Sequence, residues 1–144
     1  MIEVKEWELS TQNRFEIIDL TEKIQKYIQE KYLNEGQTTI TTKHTTTAIR
    51  VNENECGLLQ DFHKFLKELI PENNNYQHDD LEKRPDCPKD EPKNCDSHLQ
   101  ALFMGASESI PIKNNRLILG KWQKIFFIEL DGPRKRQFTT TLIS

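Results

Sequence analysis

The sequence has no surplus of positive charge, no long apolar run, few cysteines and a modest apolar fraction, and each shortage removes a class of function. Lys and Arg number 20 against 23 Asp and Glu, a net charge of −3. No basic face for a nucleic-acid backbone follows from that balance, so nucleic acid is not an expected partner. No stretch approaches the roughly 18 apolar residues of a membrane helix, and Met1 to Glu6 lacks the apolar segment of a secretory signal. A cytoplasmic protein without a membrane partner is expected. Cys56, Cys87 and Cys95 are odd in number and keep no paired metal-ligand spacing, which suits a reducing compartment better than a disulfide framework. Apolar residues make up only 35% and charged residues 30%, so either much of the surface is solvated or neighbouring subunits supply part of the core. The length of 144 residues fits one domain, 1–144, able to bury roughly 70% of its unfolded surface.

What is present reads as alternating β-rich and helical segments. Val4 to Leu9 and Phe15 to Leu20 are expected as strands joined by the polar turn Thr11 to Arg14, an amino-terminal hairpin. Thr21 is expected to cap a helix over 21–34, with Ile24, Tyr27, Ile28 and Tyr32 at helical spacing and Gly36 as its left-handed ending. The β-branched residues of 37–52 predict one long strand, or two with a break near His44. A second helix starts at Asn52 or Asn54, carries the stripe Leu58, Leu59, Phe62, Phe65, Leu66 and Leu69, and stops at Pro71. His63 lies beside that stripe and is expected to be a solvated helix-face residue. Residues 71–95 show no periodicity and form a long irregular loop. A short helix capped by Asn94 or Asp96 runs through Met104, with Leu99, Leu102 and Phe103 facing the core and Gly105 ending it. Strands 108–112 and 116–120 flank Lys113-Asn114-Asn115, and 122–130 turns at Asp131-Gly132-Pro133 into a last strand, 135–143. The sum is an α+β domain with two longer helices and one short one.

Three of the four histidines sit beside hydroxyl or carboxylate side chains: His44 before Thr45 to Thr47, His78 before Asp79 and Asp80, and His98 after Asp96 and Ser97. Neutral imidazole is the commonest ligand for borderline metals, and its second nitrogen needs a partner to fix the tautomer. His44, His78 and His98 are therefore candidate metal ligands. A positive His98 would oppose the dipole of its own helix, which favours a neutral ring there. Arg134 is a candidate phosphate clamp because a guanidinium meets phosphate with paired donors. Gly105-Ala106-Ser107 offers backbone amides and a hydroxyl to an anion. Trp122 is expected in the core on its apolar neighbourhood, with a stacking platform as the alternative.

His-Thr-Thr at 44–46, Asn52 with Glu53 and Glu55, Tyr76 with His78 and Asp79, Asn94 with His98-Leu99, Gly105-Ala106-Ser107, and Gly120-Lys121-Trp122-Gln123 through Asp131-Gly132-Pro133-Arg134 together resemble the YjbQ-like family over nearly the whole chain. The resemblance implies a single α+β domain with a mixed, largely antiparallel β-sheet sandwich, assembled as a homotrimer. It also implies secondary thiamine-phosphate synthase activity, in which a hydroxymethylpyrimidine pyrophosphate joins a thiazole phosphate with release of pyrophosphate. His44, His78 and His98 match the family's histidines, and Glu55, Gly105, Ser107, Trp122, Gln123, Glu129 and Arg134 surround them as candidates. Lys43 before His44 and the proline-broken stretch 81–93 depart from the pattern.

That transfer needs charge neutralisation on the leaving pyrophosphate, from a metal ion and from Arg134, more than it needs a nucleophile. Three imidazoles suit zinc or a similar transition metal, whereas magnesium, which accompanies pyrophosphate, prefers oxygen. A hydrolase of a phosphorylated or amide small molecule is the alternative, with metal-bound water as nucleophile and Glu55 or Glu129 as general base. A trimer that binds a metal or a phosphorylated metabolite without turning it over is the non-enzymatic reading.

Overall fold

The computed structural model describes residues 1–144. Its strands are β1 (Ile2–Ser10), β2 (Glu16–Asp19), β3 (Glu35–Thr42), β4 (Thr47–Glu53), β5 (Ser107–Lys113), β6 (Arg116–Leu117), β7 (Gln123–Glu129) and β8 (Lys135–Ile143). Its helices are α1 (Thr21–Glu30), α2 (Cys56–Leu69) and α3 (Cys95–Met104). One sheet has the order β1-β8-β3-β5-β6 and the other β2-β7-β4. Every pairing is antiparallel. β4 also touches β3 and β5, and the two sheets curl into a half-barrel.

The larger core lies between the sheets and under α1, where Ile24, Tyr27 and Ile28 meet Ile40, Ile49, Ile125, Phe127, Phe138 and Leu142. The outer face of the three-stranded sheet carries a smaller core of Ala48, Phe126, Ile128 and Leu130 beneath Leu66 of α2 and Ala101 of α3. β7 is thus covered on both faces, which is why Ile125 to Leu130 can be one unbroken buried run. The expected break near His44 is present between β3 and β4, and Asn114 and Asn115 take the left-handed conformation of the 113–115 turn.

Several expectations need correcting. β1 and β2 do not form a hairpin: β1 pairs with β8 and β2 with β7. Thr11 to Arg14 instead crosses between sheets, pinned by the Thr11 amide on the Arg134 carbonyl at 2.9 Å. Thr21 does not cap α1 but is its first residue; the N-cap position is Leu20, without a side-chain cap, and Asp19 before it accepts the Thr21 amide at 2.9 Å. The helix stops at Glu30, and left-handed Tyr32 follows it. Gly36 lies inside β3, where a Cβ would fall 2.2 Å from the Ile143 carbonyl oxygen. α2 starts after Glu55, and of its stripe only Leu66 is fully buried. β6 is confined to Arg116–Leu117. In α3 the expected face is inverted: Asp96, Ser97, Gln100 and Ala101 are buried, while Leu102 and Phe103 are 80% and 71% exposed. The cause is the polar network beneath α3, which takes Asp96 and Ser97 as partners. His63 is not a freely solvated residue, for its ring stacks on Phe15 at 3.9 Å and 2°.

Candidate functional site

The end of β3 builds the first wall. The last β3–β8 pair is Thr42 with Phe138, and one residue further on the Lys43 amide donates to the Gln137 carbonyl at 3.3 Å. The Gln137 amide donates to Nε2 of His44 at 2.8 Å. The turn behind His44 is tied by Thr46, whose hydroxyl accepts from Arg136 Nη2 at 2.9 Å and whose carbonyl accepts the Leu130 amide at 3.1 Å. Burial and the nearby Arg136 cation hold His44 below the usual histidine range, against the opposite pull of Glu129.

Beneath it lies a buried ion pair. Arg136 Nε and Nη2 donate to the two oxygens of Glu129 at 2.7 and 2.6 Å. Glu129 also accepts from the Thr11 hydroxyl at 2.9 Å and from the Leu130 and Asp131 amides at 3.1 and 3.0 Å. Burial alone would push this carboxyl up, but the Arg136 bonds, the Asp131 amide and Thr11 outweigh it and the net shift is downward. A carboxylate so engaged has no lone pair left for a substrate proton, so Glu129 supports the site instead of serving as its base.

α3 supplies the second wall. Ser97 donates to the Leu130 carbonyl at 2.6 Å, and Arg14 Nη2 meets Asp96 at 3.1 and 3.2 Å. These two contacts turn the polar side of the helix inward and leave His98 facing the β3–β4 turn. Burial and then the neighbouring His78 hold His98 below its ordinary pKa, against the opposite pull of the Thr45 backbone and of Asp131 and Glu91. His44, Thr45, Thr47, His98, Leu102 and Gly105 line a cavity of about 400 Å³. The His78 ring lies 4.7 Å from that of His98, on a short helical turn, 77–79, that is fastened to α3 where Asp79 accepts the Cys95 amide at 3.0 Å. Nδ1 of His78 and Oδ1 of Asn94 are buried without a hydrogen bond, the former 3.6 Å from Oδ1 of Asp79.

Arg134 is half-exposed and oriented by Asp131, with Nε on the carbonyl at 2.9 Å and Nη2 on Oδ2 at 2.8 Å. Asn94 Nδ2 donates to the same Oδ2 at 2.7 Å. Arg134 belongs to the same charged neighbourhood as His44. The remaining candidates lie elsewhere. Glu55 accepts the Gly57 and Leu58 amides at 2.8 and 2.6 Å and caps α2, which keeps its carboxyl below the ordinary range. Gln123 accepts the Gly120 amide at 2.8 Å. Trp122 is not a core residue: it is 63% exposed, with Lys121 Nζ 4.8 Å from its ring centre. Gln123 and Glu129 stand at opposite ends of β7, roughly 20 Å apart at the usual rise of a strand. Ser107 is exposed at the start of β5, opposite Thr41. A separate apolar cleft of about 200 Å³ between α2 and the three-stranded sheet contains none of these residues.

Arg136, Asn94, Asp131, Asp96 and Arg14 were missed as site builders. One signal was available for Arg136. β8 alternates Arg136, Phe138, Thr140 and Leu142 on its buried side, so the period-two pattern places a charge at a core position.

No group of three or more His, Cys, Asp or Glu side chains in one chain is arranged to hold a metal ion. His78 and His98 suit a metal better than His44 does, because their rings lie 4.7 Å apart and Asp79 Oδ1, 3.6 Å from Nδ1 of His78, can orient that ring. His44 has Nε2 already occupied by a main-chain amide.

The family profile described as "UPF0047 protein YjbQ-like" matches residues 5–144. A UPF0047 protein of Archaeoglobus fulgidus is 39% identical over 129 residues, covering 90% of this chain and 92% of its own length. The UPF0047 protein YugU of Bacillus subtilis is 33% identical over 134 residues, covering 92% and 93%. Among solved structures, a YbjQ-like protein of unknown function from Sulfolobus solfataricus superposes with a TM-score of 0.86 at 31% identity, covering 99% of this chain and 96% of that one.

Proposed function

Because the chain belongs to the YjbQ-like UPF0047 family, we propose that its His44–His98 cavity binds a phosphorylated small molecule and that the reaction served there is a secondary thiamine-phosphate synthase-like transfer. The observation that carries this reading is that His44 and His98 share one cavity with the Asp131-oriented guanidinium of Arg134 in the same charged neighbourhood. The guanidinium can pair with an anion, and the carboxylates near His98 and His78 are engaged: Asp131 by Arg134, Glu91 by Arg84 and Asp79 by the Cys95 amide. In the transfer, the thiazole nitrogen forms a bond to the pyrimidine methylene carbon while the carbon–oxygen bond to pyrophosphate breaks, and pyrophosphate departs with the electron pair. Arg134 would take the developing charge on the leaving oxygens. His78 and His98 would hold a transition metal, whose service would be further charge neutralisation.

Leu102 forms part of the cavity wall and continues into the exposed Leu99 and Phe103. An apolar face of this kind beside a polar site marks an association surface, and the proposed partner is a neighbouring subunit of a homotrimer, with a cytoplasmic location. The test is turnover of a hydroxymethylpyrimidine pyrophosphate with a thiazole phosphate, with magnesium or zinc, followed as thiamine phosphate formed. Turnover that falls at least tenfold in Arg134→Ala and His98→Ala supports the transfer. Pyrophosphate binding without any turnover overturns the transfer and leaves a metabolite-binding protein.

The hydrolase reading rests on the adjacent rings of His78 and His98, with Asp79 beside His78, a pair suited to a metal that activates water. Phosphate release from a phosphate monoester that requires zinc and disappears in His78→Ala would favour it over transfer.

A further inference from the structure

The three histidines do not stand in equivalent chemical states, and the main chain explains why. β3 ends at Thr42, so β8 runs past it with the Gln137 carbonyl and amide both aimed at the vacated flank. The carbonyl finds the Lys43 amide; the amide has no strand left to pair with. His44 folds its ring back into that rung, and Nε2 takes the amide at 2.8 Å. A main-chain N–H can only donate, so Nε2 must present its lone pair, and in a neutral ring the proton then resides on Nδ1. The free side chain prefers the opposite arrangement.

We infer that His44 is locked by the Gln137 amide as the Nδ1-protonated tautomer and serves the cavity as a hydrogen-bond donor to a phosphoryl oxygen, not as a metal ligand or general base. The locked tautomer stands on the chain alone; its use on phosphate rests on the function proposed above. A metal at Nε2 would displace the amide and leave a strand N–H orphaned, and a metal at Nδ1 would require a ring with no proton at all. A second proton on Nε2 would set two donors against each other. The charged groups around the ring agree, for Arg136, Lys43 and Arg134 all oppose a cation there, and Glu129 alone favours it while already bound to Arg136 on both oxygens. Nδ1 has no acceptor within the chain and is not shut away from solvent.

The decisive experiment is a long-range 1H–15N correlation spectrum of the full chain labelled with 15N-histidine near pH 7.5, with His44 identified by the signals missing from His44→Gln. The expected pattern is an unprotonated Nε2 and a protonated Nδ1, unchanged by zinc, with Nδ1 moving on titration with inorganic pyrophosphate. A protonated Nε2, or a His44 nitrogen that takes a metal-bound shift with zinc, overturns the inference. A second readout is binding of inorganic pyrophosphate by calorimetry. His44→Ala should weaken it about tenfold to a hundredfold, as expected for losing a hydrogen bond to a charged group. His44→Gln should recover most of that loss, because one amide can accept from Gln137 and donate to the ligand. Equal weakness in both folded variants overturns the donor role. If the parent fails to bind pyrophosphate, the donor role and the proposed function fall together, while the tautomer pattern still decides the first half.

Discussion

The chain has two interiors built on opposite terms. Under α1, thirteen apolar side chains form one cluster, joined from β3 and β8 by the buried hydroxyls of Thr38 and Thr140, and the helix contributes its Ile24, Tyr27 and Ile28 as its spacing demands. Under α3, six apolar residues share the space with buried Glu129, Arg136, Asp131, Asn94, Asp96, Ser97 and Gln100. Apolar burial stabilises in proportion to area and needs no angular fit, whereas each buried polar group has to be matched bond by bond. A fold places that demand where side chains must be held at fixed angles, and here that place is the floor of the His44–His98 cavity.

Removing one partner from the polar interior should have the largest effect. Arg136→Ala leaves Glu129, 0% exposed, without its counter-ion, and should cost about 3–5 kcal/mol in urea unfolding. The effect should depend on pH with a definite sign. Glu129 has its folded pKa below the ordinary value, so its contribution is complete above the unfolded carboxylate pKa of about 4.3 and is lost as pH falls through the folded value. The gap between parent and Glu129→Gln should therefore be constant at neutral pH and shrink below about pH 4. A gap that widens on acidification would break the comparison.

In the apolar interior, Ile28→Ala should cost about 2–5 kcal/mol through lost transfer energy and the cavity left behind. Unlike the Glu129 effect, this loss should be flat across pH, since no titrating group touches the mechanism. Unfolding of both variants across a pH series separates the two interiors directly. Leu102→Asp sharpens the contrast from the other side. It adds a charge on the same helix that buries Asp96, yet on a fold where Leu102 is 80% exposed it should change intrinsic stability by no more than about 0.5 kcal/mol. Its expected effect is on association, read as a smaller sedimenting species. A parent already monomeric at every concentration would remove the subunit as the cover for this face.

The same contrast explains which parts of the molecule were legible in the sequence. α1, β7 and the Asn114-Asn115 turn follow from local rules, because periodicity, apolar runs and left-handed asparagines act over a few residues. The face of α3 did not, since Leu99, Leu102 and Phe103 obey the same spacing rule and yet lie outside. What overrode them is Arg14, drawn in by a pairing across 82 residues, which periodicity cannot register. His44, His98 and Arg134 were recognisable by residue type, but the partner that fixes His44 is a main-chain amide at 137, and a backbone group has no signature in sequence. The β1–β2 hairpin failed for a related reason: adjacency favours pairing neighbours, and the chain instead spends Thr11 to Arg14 reaching the floor of the site.

The smallest expected effects lie at the far end of β7. Glu55→Ala should lower the melting temperature by uncapping α2, and Trp122→Ala should barely move it, since the ring is mostly in solvent. With roughly 20 Å of strand between this end and Glu129, neither change should alter pyrophosphate affinity by more than about twofold, the scatter expected between uncoupled sites. Calorimetry on the two variants decides this. A tenfold loss in Trp122→Ala with an unchanged fold could not travel along β7 within one chain. It would mean that a neighbouring subunit carries its own Trp122 end against the exposed face of α3, and that the cavity is closed by the assembly.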